Sequence, residues 1–241
     1  PPTDAPQTLL REGQHPYQQR LAFEELLAHN LSLLRLRSQT RKLGAPAMPA
    51  NQRLSDQFLS QLGFSLTAAQ QRVVADINRD LNQAKPMLRL VQGDVGSGKT
   101  VVAALAALRA VACGYQVAIM APTEILAEQH FNNFCQWMQP LGLHLGWLSG
   151  KVKGKQRQLQ LSAIADHQVD IIIGTHALFQ PEVEFAKLGL AIIDEQHRFG
   201  VHQRLALKEK ASAEIGHPHQ LIMTATPIPR TLAMSAYADL D

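Results

Sequence analysis

The sequence predicts an α/β domain built on a doubly wound, mostly parallel sheet. From about residue 54 onward, short apolar segments alternate with longer segments of helical periodicity, and this alternation is typical of parallel βαβ units. Polar motifs follow the predicted strands, which is where open parallel sheets carry their binding sites. The predicted strands are 87–92, 116–121, 144–149, 169–174, 188–193 and 220–224, and the predicted helices are 68–82, 99–113, 123–138, 155–165 and 230–238.

The most informative motif is GDVGSGKT at residues 93–100, which matches the phosphate-binding loop pattern G-x-x-x-x-G-K-[ST]. It follows a predicted strand and opens a predicted helix, as this loop must. Its glycines allow backbone N–H groups to point at a phosphate chain. Lys99 supplies a positive charge, and Thr100 supplies a hydroxyl for Mg²⁺. The predicted nucleotide-binding residues of the loop are Gly93, Asp94, Val95, Gly96, Ser97, Gly98, Lys99 and Thr100.

A second motif, DEQH at residues 194–197, follows the apolar segment 188–193. At the end of a strand, Asp194 can hold the metal while Glu195 orients or deprotonates a water molecule. Two acids after an apolar run also fit an ordinary strand end that meets solvent. The phosphate-binding loop favours the catalytic interpretation, so the two motifs together predict nucleoside triphosphate hydrolysis with Mg²⁺ bound by Thr100 and Asp194.

Composition restricts the class of protein. The 241 residues are 46% hydrophobic and 18% charged, which suits one large globular domain with an appendage. No run of 18 apolar residues and no signal peptide is present, and the two cysteines lack partners at metal spacing, so a cytoplasmic protein is expected. The net charge of +3 is a mild lean toward polyanions. The chain begins with Pro1, and we expect it to be a piece of a longer protein.

The first 50 residues differ from the rest. Residues 20–37 predict a helix whose apolar stripe needs a partner, either the domain that follows or a neighbouring one. The stripe consists of Phe23, Leu26, Leu27, Leu31 and Leu34. The basic end of the helix is either a solvated face or a DNA contact, and it carries Arg35, Arg37, Arg41 and Lys42. Residues 44–51, with several Ala and Pro, predict a linker.

The motifs GDVGSGKT, APTEILAEQH, GTHAL, DEQHRFG and TATPIPRT occur in an order that resembles the first motor domain of superfamily 2 helicases. In detail the chain resembles the RecG family of bacterial branched-DNA translocases, from about residue 8 to its end. The resemblance implies a RecA-like P-loop domain over residues 54–241. It also implies that residues 1–53 are a helical linker from an upstream DNA-binding wedge domain. The implied activity is ATP-dependent remodelling of branched DNA and stalled forks in repair and recombination, close to the bacterial nucleoid.

The same resemblance implies roles for single residues. Gln70, in FSLTAAQ, would lie at the adenine edge, where an amide can donate and accept. His197 would join Lys99 and the acid pair as a catalytic residue. Thr224, Ala225 and Thr226 would couple the state of the nucleotide to DNA binding. The residues that would contact the DNA backbone are Pro122, Thr123, Thr175 and His176. For Thr123 and Thr175 the alternative role is a helix N-cap. The basic segment 150–157 either contacts the DNA backbone or is a solvated helix start.

We expect the second motor domain and most of the wedge domain to lie outside this chain. Arg198 and Arg230 fit local ion pairs or DNA contacts better than they fit an arginine finger. Two alternatives stay open. One is a transcription-repair coupling factor, against which Gln196 and the leading helix argue. The other is an isolated nucleotide- or DNA-binding module with negligible turnover.

Overall fold

A computed structural model describes residues 15–40, 44–195 and 215–225. The predicted parallel sheet is confirmed, since six strands pair in parallel in the order β1-β6-β5-β2-β4-β3. Each strand overlaps its predicted segment and differs from it by at most two residues at either end. The strands are Leu88–Gln92 (β1), Gln116–Met120 (β2), Leu145–Leu148 (β3), Ile171–Gly174 (β4), Leu188–Asp194 (β5) and His219–Thr224 (β6).

Strand register brings three of the motifs together. β6 lies between β1 and β5, with Gln92 opposite Thr224 and Asp194 opposite Met223. Because all three strands are parallel, their carboxyl ends meet at one edge of the sheet. The phosphate-binding loop, the acid pair and the Thr224-Ala225 turn therefore leave the sheet side by side.

Six α-helices are described, and four of them match predicted helices of the domain. Helix α2 was not predicted, because its nine residues carry only a short apolar pattern among polar ones. Leu54, Phe58 and Leu62 recur every four residues, and Phe58 is buried, so this spacing was the available signal. The helices are Pro16–Thr40 (α1), Arg53–Gln61 (α2), Ala68–Leu81 (α3), Lys99–Ala112 (α4), Glu124–Met138 (α5) and Gly154–Ala165 (α6). The predicted helix 230–238 lies outside the described residues.

The sheet is buried on both faces, which explains its nearly continuous apolar strands. Alternate residues of β4 point to opposite faces: Ile171 and Ile173 join the core that contains α4, whereas Ile172 joins a second core. Helix α4 is the most deeply buried of the described helices, with every residue from 101 to 110 inside the core. The helix that begins at the phosphate-binding loop is thus fixed by packing along most of its length.

The segment 44–51, predicted as a linker, is instead packed against the domain. Met48 is fully buried in the main core. Arg109 of α4 donates to the Met48 carbonyl from Nε at 2.9 Å and from Nη2 at 2.6 Å, and Met48 N–H donates to Leu81 O at 2.8 Å. A linker between two bodies would leave these groups in water. The packing was not predicted, because alanine and proline at a packed surface have the same composition as a flexible connection. We call residues 44–51 the strap.

A buried histidine joins the strap to the sheet. His219, at the start of β6, has its Nε2 at 2.8 Å from Pro46 O, while Met87 N–H donates to its Nδ1 at 3.0 Å. This pattern requires the neutral ring with its proton on Nε2. Burial lowers the pKa of His219 below its ordinary value, and the Pro46 carbonyl acts in the opposite direction.

The apolar stripe of α1 lies exposed. Phe23, Leu26 and Leu31 each expose more than half of their surface, and Leu27 exposes 46%. The alternative in which this stripe packs on the domain that follows is therefore wrong for these residues, and docking on a neighbouring domain stays a prediction. The side chain of Leu34 and the basic end of the helix lie outside the described side chains. Within the described ranges, no helix has the length and hydropathy needed to cross a membrane.

The environment of His219 predicts a pH dependence of stability. Because the folded-state pKa is depressed, the stabilisation is complete above the unfolded-state pKa of about 6.5 and declines as the pH falls below it. The free energy of unfolding of the wild-type chain should exceed that of His219→Leu at about pH 8, and this difference should shrink toward about pH 5. Chemical denaturation of both proteins across this range measures it. A difference that is constant or grows on acidification would contradict the neutral ring.

Candidate active site

The phosphate-binding loop connects β1 to α4 and has a backbone shape that favours glycine at two positions, while a third glycine lies close to a serine side chain. Gly96 and Gly98 have φ angles of +82°, in the left-handed region. A Cβ atom on Gly93 would lie 2.6 Å from Ser97 Oγ, and one on Gly98 would overlap the side-chain nitrogen of Gln70. The loop therefore forms a tight turn, which we call the cradle, where a ligand can approach the backbone because the glycines carry no side chains.

Lys99 lies at the first position of α4 and folds over this cradle. Its Nζ donates to Gly93 O at 2.6 Å and to Asp94 O at 2.8 Å. The amino end of α4 adds the partial positive charge of a helix N-terminus. An ammonium group, the N–H groups of a helix start and a glycine cradle are the combination that binds a polyphosphate, so the residues present fit the predicted ligand.

Glu195 is fixed by the strand beside its own. Its φ of +52° is unusual for a residue with a side chain, and its N–H donates to Met223 O at 2.8 Å. Ala225 N–H donates to Glu195 Oε1 at 2.8 Å, and Thr224 Oγ1 donates to Oε2 at 3.1 Å. The two predicted coupling residues that the structure describes thus bind the predicted catalytic acid directly.

The charged groups converge on a cavity of about 370 Å³. Two larger cavities, of about 620 and 510 Å³, lie elsewhere among the described residues. We assign the site to the smaller one, because the lysine, both carboxylates and the cradle meet there. Its lining residues are Val95, Gly96, Lys99, Thr100, Leu126, His130, Asp194, Glu195, Met223 and Ala225.

Sequence reasoning missed His130, whose Nε2 lies 2.8 Å from Asp194 Oδ2. It belongs to the APTEILAEQH motif, but nothing in the pattern distinguishes it from a core residue. Its spacing from Ala127 and Phe134 is that of the buried face of α5. Only the structure shows the contact, because it joins α5 to the end of β5, two segments distant in the sequence.

Gln70 contacts the phosphate-binding loop. Its Nε2 donates to Ser97 O at 2.9 Å, and its Oε1 accepts from Thr67 N–H at 2.9 Å in the capping box of α3. These bonds use one donor and one acceptor of an amide that has two of each. Recognition of adenine by Gln70 stays a prediction. The bond to Ser97 O shows that this residue also holds the phosphate-binding loop.

The four predicted DNA-backbone residues do not share one environment. Thr123 is exposed and its Oγ1 accepts from Leu126 N–H at 3.3 Å, which is the N-cap role expected as an alternative. Pro122 is half-buried and His176 is exposed. Thr175 is only 3% exposed, its hydroxyl has no partner among the described residues, and its N–H donates to Leu148 O.

The DNA contact of Thr175 stays a prediction. In this structure the residue lies beneath the surface, where two strands approach each other closely. A Cβ atom on Gly174 would overlap Leu148 O, so β4 and β3 approach each other at this point more closely than a side chain would permit. His197 and Thr226, together with Arg198 and Arg230, lie outside the described residues.

This fold and loop define a RecA-like P-loop domain, and comparison with known proteins agrees. The DEAD/DEAH box helicase family matches residues 67–235. Since that match covers well over half of the sequence, the chain belongs to the DEAD/DEAH box helicase family.

Within this family, the chain is similar to RecG proteins. The chain is 63% identical over 241 residues to the ATP-dependent DNA helicase RecG of Escherichia coli (strain K12) and 61% identical over 241 residues to that of Haemophilus influenzae. Each match spans all of this chain but only 35% of the relative. A solved structure of RecG bound to a three-way DNA junction superposes with a TM-score of 0.80 at 39% identity, covering 92% of this chain and 30% of that one. The resemblance to the RecG family is confirmed.

Gly98 offers a test of the cradle with a matched control. Alanine in a left-handed conformation costs roughly 1–2 kcal/mol, so Gly98→Ala and Gly114→Ala should both lower the free energy of unfolding by about this amount. Gly114 has a φ of +78° and open space where a methyl group would be added, whereas the methyl group at Gly98 would displace Gln70. Only Gly98→Ala should therefore lose binding of a fluorescent ADP analogue, measured by titration. Equal affinities for the two variants would contradict the cradle.

Proposed function

We propose that this chain is the first motor domain of an ATP-dependent DNA helicase that acts on branched DNA and stalled forks. The observation that carries the proposal is the convergence of Lys99, Asp194 and Glu195 on one cavity beside the glycine cradle. The identity of 63% over all 241 residues to a protein named ATP-dependent DNA helicase RecG supports it. This similarity also favours the branched-DNA hypothesis over the coupling-factor alternative.

In this proposal the polyphosphate of ATP lies in the cradle, against backbone N–H groups of the loop and of the start of α4. Lys99 leaves the Gly93 and Asp94 carbonyls and donates to the outer phosphates. Thr100 and Asp194 would hold Mg²⁺, which when bound neutralises charge on the phosphates. Glu195 orients the attacking water and accepts its proton.

Glu195 also connects the reaction to the rest of the domain. Because its carboxylate accepts hydrogen bonds from Thr224 Oγ1 and Ala225 N–H, a shift of the acid moves the end of β6. We propose that this turn, continued by Thr226 and assisted by His197, passes the state of the nucleotide to the DNA surface. Coupling of this kind needs an element with two arrangements, and the turn after β6 is the candidate.

The proposed DNA surface lies along the same edge of the sheet, where exposed Thr123 and His176 follow β2 and β4. Lys151 of the basic segment after β3 forms an ion pair with Glu124, so its charge is shared with an acid in this conformation. The relative solved with a three-way DNA junction supports a branched substrate. Since this chain spans 35% of its relatives, we assign the wedge and the second motor domain to the remainder of the full-length protein. A DNA substrate in bacteria implies work in the cytoplasm, at the nucleoid.

The variant Lys99→Ala in the full-length protein tests the proposal. In the proposed complex the lysine contacts phosphate of the nucleotide and not DNA, so ATP hydrolysis should fall by at least about 100-fold while affinity for a three-way DNA junction stays within about 2-fold. ATPase assays and junction binding by fluorescence anisotropy, run side by side, measure the two effects. Lys85→Ala, an exposed lysine remote from the cavity, is the control and should change neither. Parallel loss of hydrolysis and junction binding in Lys99→Ala would show that the loop is not a separate nucleotide site.

A further inference from the structure

His130 and Asp194 form a hydrogen bond between two largely buried side chains that line the cavity. His130 Nε2 lies 2.8 Å from Asp194 Oδ2, and the two side chains are only 10% and 13% exposed. Both belong to rigid elements, since His130 lies in the second turn of α5 and Asp194 ends β5. The start of α5 is itself fixed by the Thr123 cap. The distance between the two groups is therefore set by the fold.

The chemistry of the pair determines which atom donates. An ionised carboxylate is only an acceptor, so the imidazole places its proton on Nε2 and donates it to Oδ2. This bond fixes the rotation of the carboxylate about its Cβ–Cγ bond. It leaves Oδ1 and the second lone pair of Oδ2 for another ligand, and Asp194 lines the same cavity as Lys99 and Thr100.

We infer that His130 is a positioning residue for the metal-binding carboxylate, acting through Asp194 on the divalent cation. The inference rests on the proposed function, in which Asp194 holds Mg²⁺. A hydrogen-bond partner that fixes a ligating carboxylate raises metal affinity because the ligand no longer loses rotational freedom on binding. Removal of such partners commonly weakens metal affinity or activity by about 10- to 100-fold.

A purely structural role is the competing explanation. The other buried positions on this face of α5 include Ala127, Phe134 and Met138, all apolar, so a leucine at position 130 would satisfy packing alone. A histidine instead places a donor against the carboxylate, and it does so where the residue lines the cavity. The two explanations differ in one respect: only positioning predicts an effect that depends on the divalent cation.

The test uses the full-length protein and titration with a fluorescent ADP analogue, either with Mg²⁺ or with a chelator. His130→Leu should weaken affinity about 10-fold with Mg²⁺ and leave affinity in chelator within about 2-fold. His130→Gln, whose amide nitrogen can occupy the place of Nε2, should bind within about 2-fold of the wild type in both conditions. The control is His144→Leu, which removes an exposed histidine 3.6 Å from Asp170 and should have no effect on binding.

A double variant that combines His130→Leu with Asp194→Asn makes the test sharper. If His130 acts through Asp194, its loss has no further effect on affinity once that carboxylate is gone. His130→Leu/Asp194→Asn should therefore match Asp194→Asn alone. Equal weakening of the leucine variant with and without Mg²⁺, or no rescue by glutamine, would show that His130 only packs. Tighter Mg²⁺-dependent binding in His130→Leu would show that the bond competes with the metal. If the wild type bound nucleotide equally with and without Mg²⁺, the proposed metal site itself would fail, and this inference with it.

Discussion

The parallel pairing of β1, β6 and β5 is the constraint on which the rest of the site depends. It places Gln92 opposite Thr224 and Asp194 opposite Met223, so three chain segments leave the sheet at the same level. The cradle, the acid pair and the Thr224-Ala225 turn can then touch without any long loop to bring them together. A shift of β5 by a single residue would turn Asp194 to the opposite face of the sheet.

The strap is hydrogen-bonded to α4 and to β6, in each case near the end that lies away from the proposed nucleotide site. Arg109 lies near the end of α4, the helix that begins at Lys99, and it binds the Met48 carbonyl. His219 lies at the start of β6, which ends at Thr224, and it contacts the Pro46 carbonyl. The segment that follows α1 along the chain is therefore bonded to the helix and the strand whose other ends form the proposed nucleotide site.

The sequence predicted the sheet and the cradle because their signals are local. Apolar runs fit buried strands, and a glycine pattern reports a backbone shape at its own position. The contacts that sequence reasoning missed join distant segments. Met48 is buried by α4, Thr175 is buried by the approach of β4 to β3, and His130 meets Asp194 only across α5 and β5. Composition and spacing do not encode such contacts, since alanine, threonine and histidine occur in both packed and exposed segments.

The central claim is that nucleotide and divalent cation bind between the cradle and the acid pair. A crystal structure of the full-length protein with Mn²⁺ and a non-hydrolysable ATP analogue tests this most directly, because the anomalous signal of manganese locates the metal. We expect the metal between Asp194 and Thr100, the outer phosphates on Lys99, and Glu195 still bonded to Ala225 N–H. A metal or triphosphate bound away from the cavity, with Lys99 still folded on the Gly93 carbonyl, would contradict it.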